Sequence, residues 1–175
     1  VKDNGQINMA LCCDFLSWRL SLHTDVEQRY TFEERYAALL RYHDASWINL
    51  WNATSAYYHA LRGETDSIPE IFSQHRLSTV NMLAPGKPMM EMIENQVYLV
   101  QGAYARVVGR SAELLAVCEA MHYALVALHL RVQTAAAYGK LGKIEEARAW
   151  LEKALSDAAP DGLVMPFVEN YDYIK

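Results

Sequence analysis

LGKIEEARAWLEKALSDAAPDG, Leu141 to Gly162, contains one fully punctuated helix. Gly142 opens it and Pro160-Asp161-Gly162 closes it. Between these marks Ile144, Ala147, Leu151, Ala154, Leu155 and Ala158 recur at spacings of three and four, which places them on one helical face. The alanines on that face let a neighbouring helix come close. Tyr138 stands four residues before Gly142, at the end of a stretch from Leu125 that is apolar on nearly every side. A helix of that kind is normally packed between neighbours.

The same arrangement recurs upstream. Gly63, Gly102 and Gly142 are 39 and 40 residues apart, each with an apolar helical segment before it and a second helical segment after it. Tyr98 and Tyr138 each precede their glycine by four residues, and Tyr58 precedes Gly63 by five. Glycine at the end of a first helix permits the left-handed cap that sends the chain back. One period before Gly63 lies His23-Thr24-Asp25, between ALCCDFLSWRLSL and FEERYAALLRYH, so the first unit lacks its glycine. The expected fold is all-α: about four stacked antiparallel helix pairs at roughly 6–44, 46–78, 88–121 and 122–158, with 159–175 as a C-terminal extension, in one helical-repeat domain. Thr31-Phe32-Glu33-Glu34 reads as a capping box, and Pro69 marks a helix start. No segment alternates with the period of two that a strand needs. Asn81 to Pro88, NMLAPGKP, is the least regular part and reads as a surface loop between the second and third units.

Bulk properties narrow the function classes. At 175 residues the chain can bury about 70% of its unfolded surface. A net charge of −5 argues against direct contact with a phosphate backbone, which is gripped by Lys and Arg. No apolar run reaches the ~20 residues that span a bilayer, so no membrane role is expected. Adjacent Cys12 and Cys13 are poor partners, and with Cys118 they make an odd number of thiols, which fits a reducing cytoplasm. The chain opens on VKDNGQ with no signal-like stretch and no initiator Met, as expected of a segment of a longer cytoplasmic protein.

Catalytic signatures are missing: there is no GxSxG, HExxH or CxxC. Cys118 and His122, with His129 two turns on, share a helical face. Three ligands on one helix cannot enclose a tetrahedral ion, so a buried thiol beside histidines is the favoured reading and no metal is expected. His43, His59 and His75 are spaced by sixteen, with no evident physical meaning. The sequon at Asn52 falls inside an expected helix. Glu33-Glu34 and Glu145-Glu146 fall at helix starts, where the helix dipole favours carboxylates without any catalytic role. PGKP, Pro85 to Pro88, lacks the rest of a P-loop and reads as a turn.

Ala137 to Leu155 resembles the tetratricopeptide repeat, with Tyr138, Gly142, Ala147, Leu151 and Ala154 at the pattern positions. The period near 40 is similar to that of the helical arm in large LuxR-type regulators built like the maltose activator MalT. SDAAPDGLVMPFVEN, Ser156 to Asn170, and the stretch Leu83 to Leu115 carry the same likeness. The resemblance implies a tetratricopeptide-like superhelix serving as the arm between a nucleotide-binding module and a DNA-binding helix-turn-helix. ATP binding and DNA binding would belong to the parent protein, and this segment would need no cofactor of its own. The arm would bind a small-molecule inducer or a protein partner in its concave groove and take part in self-association.

Counting back from each glycine by the tetratricopeptide pattern gives inward positions that include Tyr57, Met92, Gln96 and His129, and Trp47 extends the strip by one turn. These five are the candidate ligand-binding residues. The competing reading is that such apolar helix positions simply pack between helices. Two functions stay open: a sensor and interaction arm of a transcriptional regulator, or a general scaffold whose groove holds a peptide tail. An all-α enzyme finds no constellation to support it.

Overall fold

The three glycines that end the expected first helices have φ of 74°, 74° and 75° at Gly63, Gly102 and Gly142. Each terminates a helix in the left-handed conformation that only glycine adopts without strain. The computed structural model describes residues 6–80 and 84–175, and among the described residues every regular element is helical. The chain divides into two compact units, Val1–Met82 and Leu83–Lys175. The residues Asn81 to Leu83 of the expected surface loop lie outside the described residues. Ala84–Gly86 form a short 3-10 turn that leads into the next helix.

Histidines make the same turn elsewhere. His43, His75 and His122 have φ of 53°, 56° and 57°. Histidine is among the few non-glycine residues enriched in this region. In the second unit the left-handed residues Gly102, His122, Gly142 and Gly162 therefore stand twenty residues apart. The bond pattern repeats with them. The N–H of Ala103, Tyr123, Lys143 and Leu163 donates to the carbonyl of Tyr98, Cys118, Tyr138 and Ala158 respectively. This is the Schellman closure, which satisfies carbonyls left over at a helix end. The residue four before each glycine is thus the backbone acceptor of the turn. The Tyr98 ring, nearly buried, also packs against Val107 of the following helix, with the Arg106 and Arg110 guanidinium groups over it at 5.6 and 5.5 Å.

The first unit is built on α3 (Ala45–Arg62), which packs against α1 (Ile7–Leu20), α2 (Phe32–Leu40) and α4 (Glu70–Ser73). Asp44 caps α3 by accepting from the Ser46 and Trp47 N–H groups at 2.8 and 3.4 Å. The capping box of α2 forms as the sequence indicates: Glu34 N–H donates to the Thr31 hydroxyl at 3.2 Å, and Thr31 N–H to the Glu34 carboxylate at 2.8 Å. Two expectations change here. The first pair is not a tight hairpin, because a segment from Ser21 to Thr31 separates α1 from α2 and α1 packs chiefly on α3. Gln28 pins that segment to Ser17, and Asp14 of α1 binds both Tyr30 and Arg35. The second helix of the second pair shrinks to the four residues of α4, bounded by Pro69 and by left-handed His75. The core joins Ile7, Leu11, Trp18, Leu39 and Trp51.

The second unit runs α5 (Lys87–Val100), α6 (Tyr104–Ala120), α7 (Ala124–Lys140) and α8 (Ile144–Ala158), with three-residue turns between them. Two short helices follow, α9 (Met165–Glu169) and α10 (Tyr171–Ile174). Helix α7 touches α5, α6, α8, α9 and α10, so most of the all-round apolar stretch, Ala127 to Ala137, is enclosed, while Leu125 at its start is 49% exposed. The C-terminal extension folds onto this centre: Leu163, Phe167 and Ile174 pack with Leu128, Val132, Ala154 and Ala158. The expected apolar face of α8 is split. Ala154 and Ala158 are buried, whereas Ile144 and Leu155 are 62% and 51% exposed. The cause is that α8 packs chiefly on α7 and the outer half of its apolar stripe stays uncovered among the described residues.

Candidate functional site

The five residues proposed from the repeat pattern fall in two places. Met92 and Gln96 lie in the seam between α5 and α7, where the Gln133 amide donates to the Gln96 side-chain oxygen at 2.9 Å and to the Met92 carbonyl at 3.1 Å, and His129 sits one turn before Gln133 on α7. His129 Nδ1 stands 3.9 Å from the Glu169 carboxylate. Tyr57 of α3 packs on Phe15 with ring centroids 5.8 Å apart, and Trp47 meets Tyr42 edge-on at 5.3 Å. Tyr57, Met92, Gln96 and His129 are all at most 3% exposed, and Trp47 alone is half-buried. As the chain is folded, the four are interior residues and do not line an open groove. The inward side of each of these helices is covered by a neighbouring element, so the inward count selects core.

The seam is polar for an interior. Asn95, Gln96, Gln133 and Thr134 are buried together with Glu94. The Gln96 amide nitrogen and the Gln133 amide oxygen have no partner among the described residues. Beside the seam, Arg110 of α6 binds Glu91 and Glu94 of α5. Burial pushes the Glu94 carboxyl up to about 7, against the pull of Arg106.

A recess that the sequence reading did not single out opens in the first unit, with a volume of about 680 Å3. Its aromatic wall is Trp18, Phe32 and Tyr58. Trp18 stacks on Phe32 at 4.0 Å, and Tyr58 stands edge-on to Trp18 at 5.0 Å. Its polar rim is a linked set at the end of α3, where Glu64 accepts from Arg62 Nε at 2.6 Å and lies 2.7 Å from His59 Nδ1. The Arg62 contact first, and His59 second, hold the Glu64 carboxyl below its ordinary value. The Arg62 guanidinium also sits 5.5 Å above the Tyr58 ring. The Trp18 indole N–H is buried with no partner among the described residues. The αL turn at Gly63 makes this rim, because it brings Glu64 back onto the last turn of α3. The density of aromatic residues between Trp18 and Tyr58 is the one sequence signal for the recess, and it does not reveal which rings meet.

Cys118 is buried, and burial raises its thiol above the ordinary range. His122 caps α6 by its backbone conformation. Among the described residues no cluster of three or more His, Cys, Asp or Glu is placed to hold a metal, and no helix is long and apolar enough to cross a membrane. Against known proteins, no family model, no curated protein and no solved structure matches the chain.

Proposed function

We propose that this chain is a sensor and interaction arm, built as a tetratricopeptide-like superhelix, of a LuxR-type regulator of the MalT kind. The arm binds a small inducer or a partner and relays it to nucleotide-binding and DNA-binding modules of the parent protein. The supporting observation is the twenty-residue recurrence of left-handed helix ends at Gly102, His122, Gly142 and Gly162, each closed by the same backbone bond. With α7 packed against α5, α6 and α8, this is the helix-on-helix repetition that such arms are made of.

The inducer site belongs in the first-unit recess. Its volume lies within the roughly 300–1,000 Å3 of small-molecule sites, and it combines aromatic faces with a few fixed polar groups. A ligand can drive a relay only through unequal affinity for two arrangements of the protein. A thermal-shift screen of small metabolites tests the reading, because a ligand at ~100 times its Kd raises stability by about 2.7 kcal/mol. Hits should quench tryptophan fluorescence and disappear in Tyr58→Ala. Tight duplex binding or ATP hydrolysis by this chain would remove the reading. Capture of peptide tails with no metabolite hit would favour the general scaffold.

A further inference from the structure

A groove of about 350 Å3 runs where α7, α8 and α10 meet in the second unit. At its base Ala135 is buried and Gly139 packs against Ala147 and the Tyr173 backbone, so the apolar surface the groove offers is Leu151 and Ile174, both half-buried. Ile144 stands at its edge, 62% exposed, beside half-buried Leu151. Every charged side chain that lines it is a cation: Lys140, Arg148 and Lys175. That is unusual in a chain of net charge −5. The notch between α6, α7 and α8 is the opposite case, with Glu119, Asp157 and Asp161 around a single arginine, Arg131.

The cations are held in place and are exchangeable. The Lys140 amine donates to the Asp172 carbonyl at 3.3 Å and lies 5.5 Å over the Tyr173 ring. Lys175 pairs with Asp172 at 2.7 Å, and Arg148 donates to Glu152 at 2.9 Å. These pairs are open to solvent, and exposed pairs contribute little to the fold. Incoming carboxylates can therefore replace them at small cost.

We infer that this groove docks an acidic amphipathic helix of a partner protein, with its apolar stripe against Ile144, Leu151 and Ile174 and its carboxylates on Lys140 and Arg148. Charge complementarity selects this occupant, and helix-in-groove recognition supplies the geometry. The inference concerns a different unit from the inducer recess and stands whether or not an inducer is found.

The test uses the whole chain and two fluorescein-labelled helical peptides of about 18 residues, roughly five turns. Both carry leucine at i, i+3, i+4 and i+7. One has glutamate at its other surface positions and the other has lysine. By fluorescence anisotropy the glutamate peptide should bind and the lysine peptide should bind at least about tenfold more weakly, with the difference shrinking in salt of about 0.5 M. Lys140→Glu with Arg148→Glu, and separately Ile144→Asn, should each weaken the glutamate peptide about tenfold or more while leaving circular-dichroism melting unchanged, since all three side chains are surface ones. Equal binding of the two peptides, or binding indifferent to these substitutions, overturns the inference. A concentration-dependent dimer that Ile144→Asn disperses, with no peptide bound, also overturns it and gives the groove to a second copy of the chain.

Discussion

Replacing His122 with glycine should stabilise this protein, and replacing Gly142 with alanine should destabilise it, although both residues do the same backbone job. Gly142 holds φ of 75°. A Cβ built there meets nothing within 4 Å, so the cost of alanine is purely conformational. A side chain in the left-handed region costs about 1–2 kcal/mol. The loss of unfolded-chain freedom returns about 0.4–1 kcal/mol of that. The net loss is up to about 1.6 kcal/mol, centred on about 0.8 kcal/mol. His122 already bears the strain at φ of 57°, so glycine relieves it, less the entropic loss, for a gain of up to about 1 kcal/mol. The internal control is Gly109→Ala in the middle of α6, where the added methyl also meets nothing within 4 Å but φ is ordinary. That change should stabilise by about 1 kcal/mol through helix propensity alone. For a chain of this size 1 kcal/mol moves Tm by about 2–4 °C. Urea unfolding of the three variants at constant m reads the signs directly. A stabilised Gly142→Ala, or a Gly109→Ala that shifts in the same direction and size as Gly142→Ala, would refute the assignment of strain to the turns.

Removing Gln133 alone, as Gln133→Ala, takes the donor from Gln96 and from the Met92 carbonyl inside the α5–α7 seam and should cost about 1–3 kcal/mol in urea unfolding. The double change Gln96→Leu with Gln133→Leu should cost less than the single one, because two amide atoms already without partners leave the interior. A double variant weaker than Gln133→Ala would show that the seam's hydrogen bonds outweigh its desolvation. Glu94 supplies a pH signature. Its folded value of about 7 lies above its ordinary 4.5, so the folded state holds its proton more tightly. This contribution is fully present below pH 4.5, is lost as pH rises through about 7, and amounts to at most about 3 kcal/mol. Glu94→Gln should flatten the stability profile across that window, and an unchanged slope would disprove the role given to Glu94.

Much of this architecture is written in the chain. Glycines at a period near 40 announce reversals because no other residue takes that conformation freely, and Thr31 with Glu34 announces a helix start through complementary bonding groups. The intermediate reversals are hidden, because histidine carries no such signal. His43 and His75 hold left-handed positions, and their even spacing with His59 is incidental. The site was less legible for a different reason. Tyr57, Gln96 and His129 satisfy a helical inward pattern whether the inward side is groove or core, and burial depends on neighbours distant in sequence. Nothing near Trp18 announces that it stacks on Phe32 and meets Tyr58, since those contacts depend on how α1 and the segment after it lie on α3.

The equal spacing of reversals in the second unit also bears on how the chain orders itself. Helices α6, α7 and α8 each find their principal mate immediately next in sequence, across three residues, while α5 divides its packing between α6 and α7. Closing so short a loop costs little entropy, and proteins dominated by such local contacts reach their native state within microseconds to milliseconds. Ordering can begin at any of these bends and spread outward, so a stopped-flow refolding experiment should find this half of the chain structured before the half that must wait for α1 to reach α3.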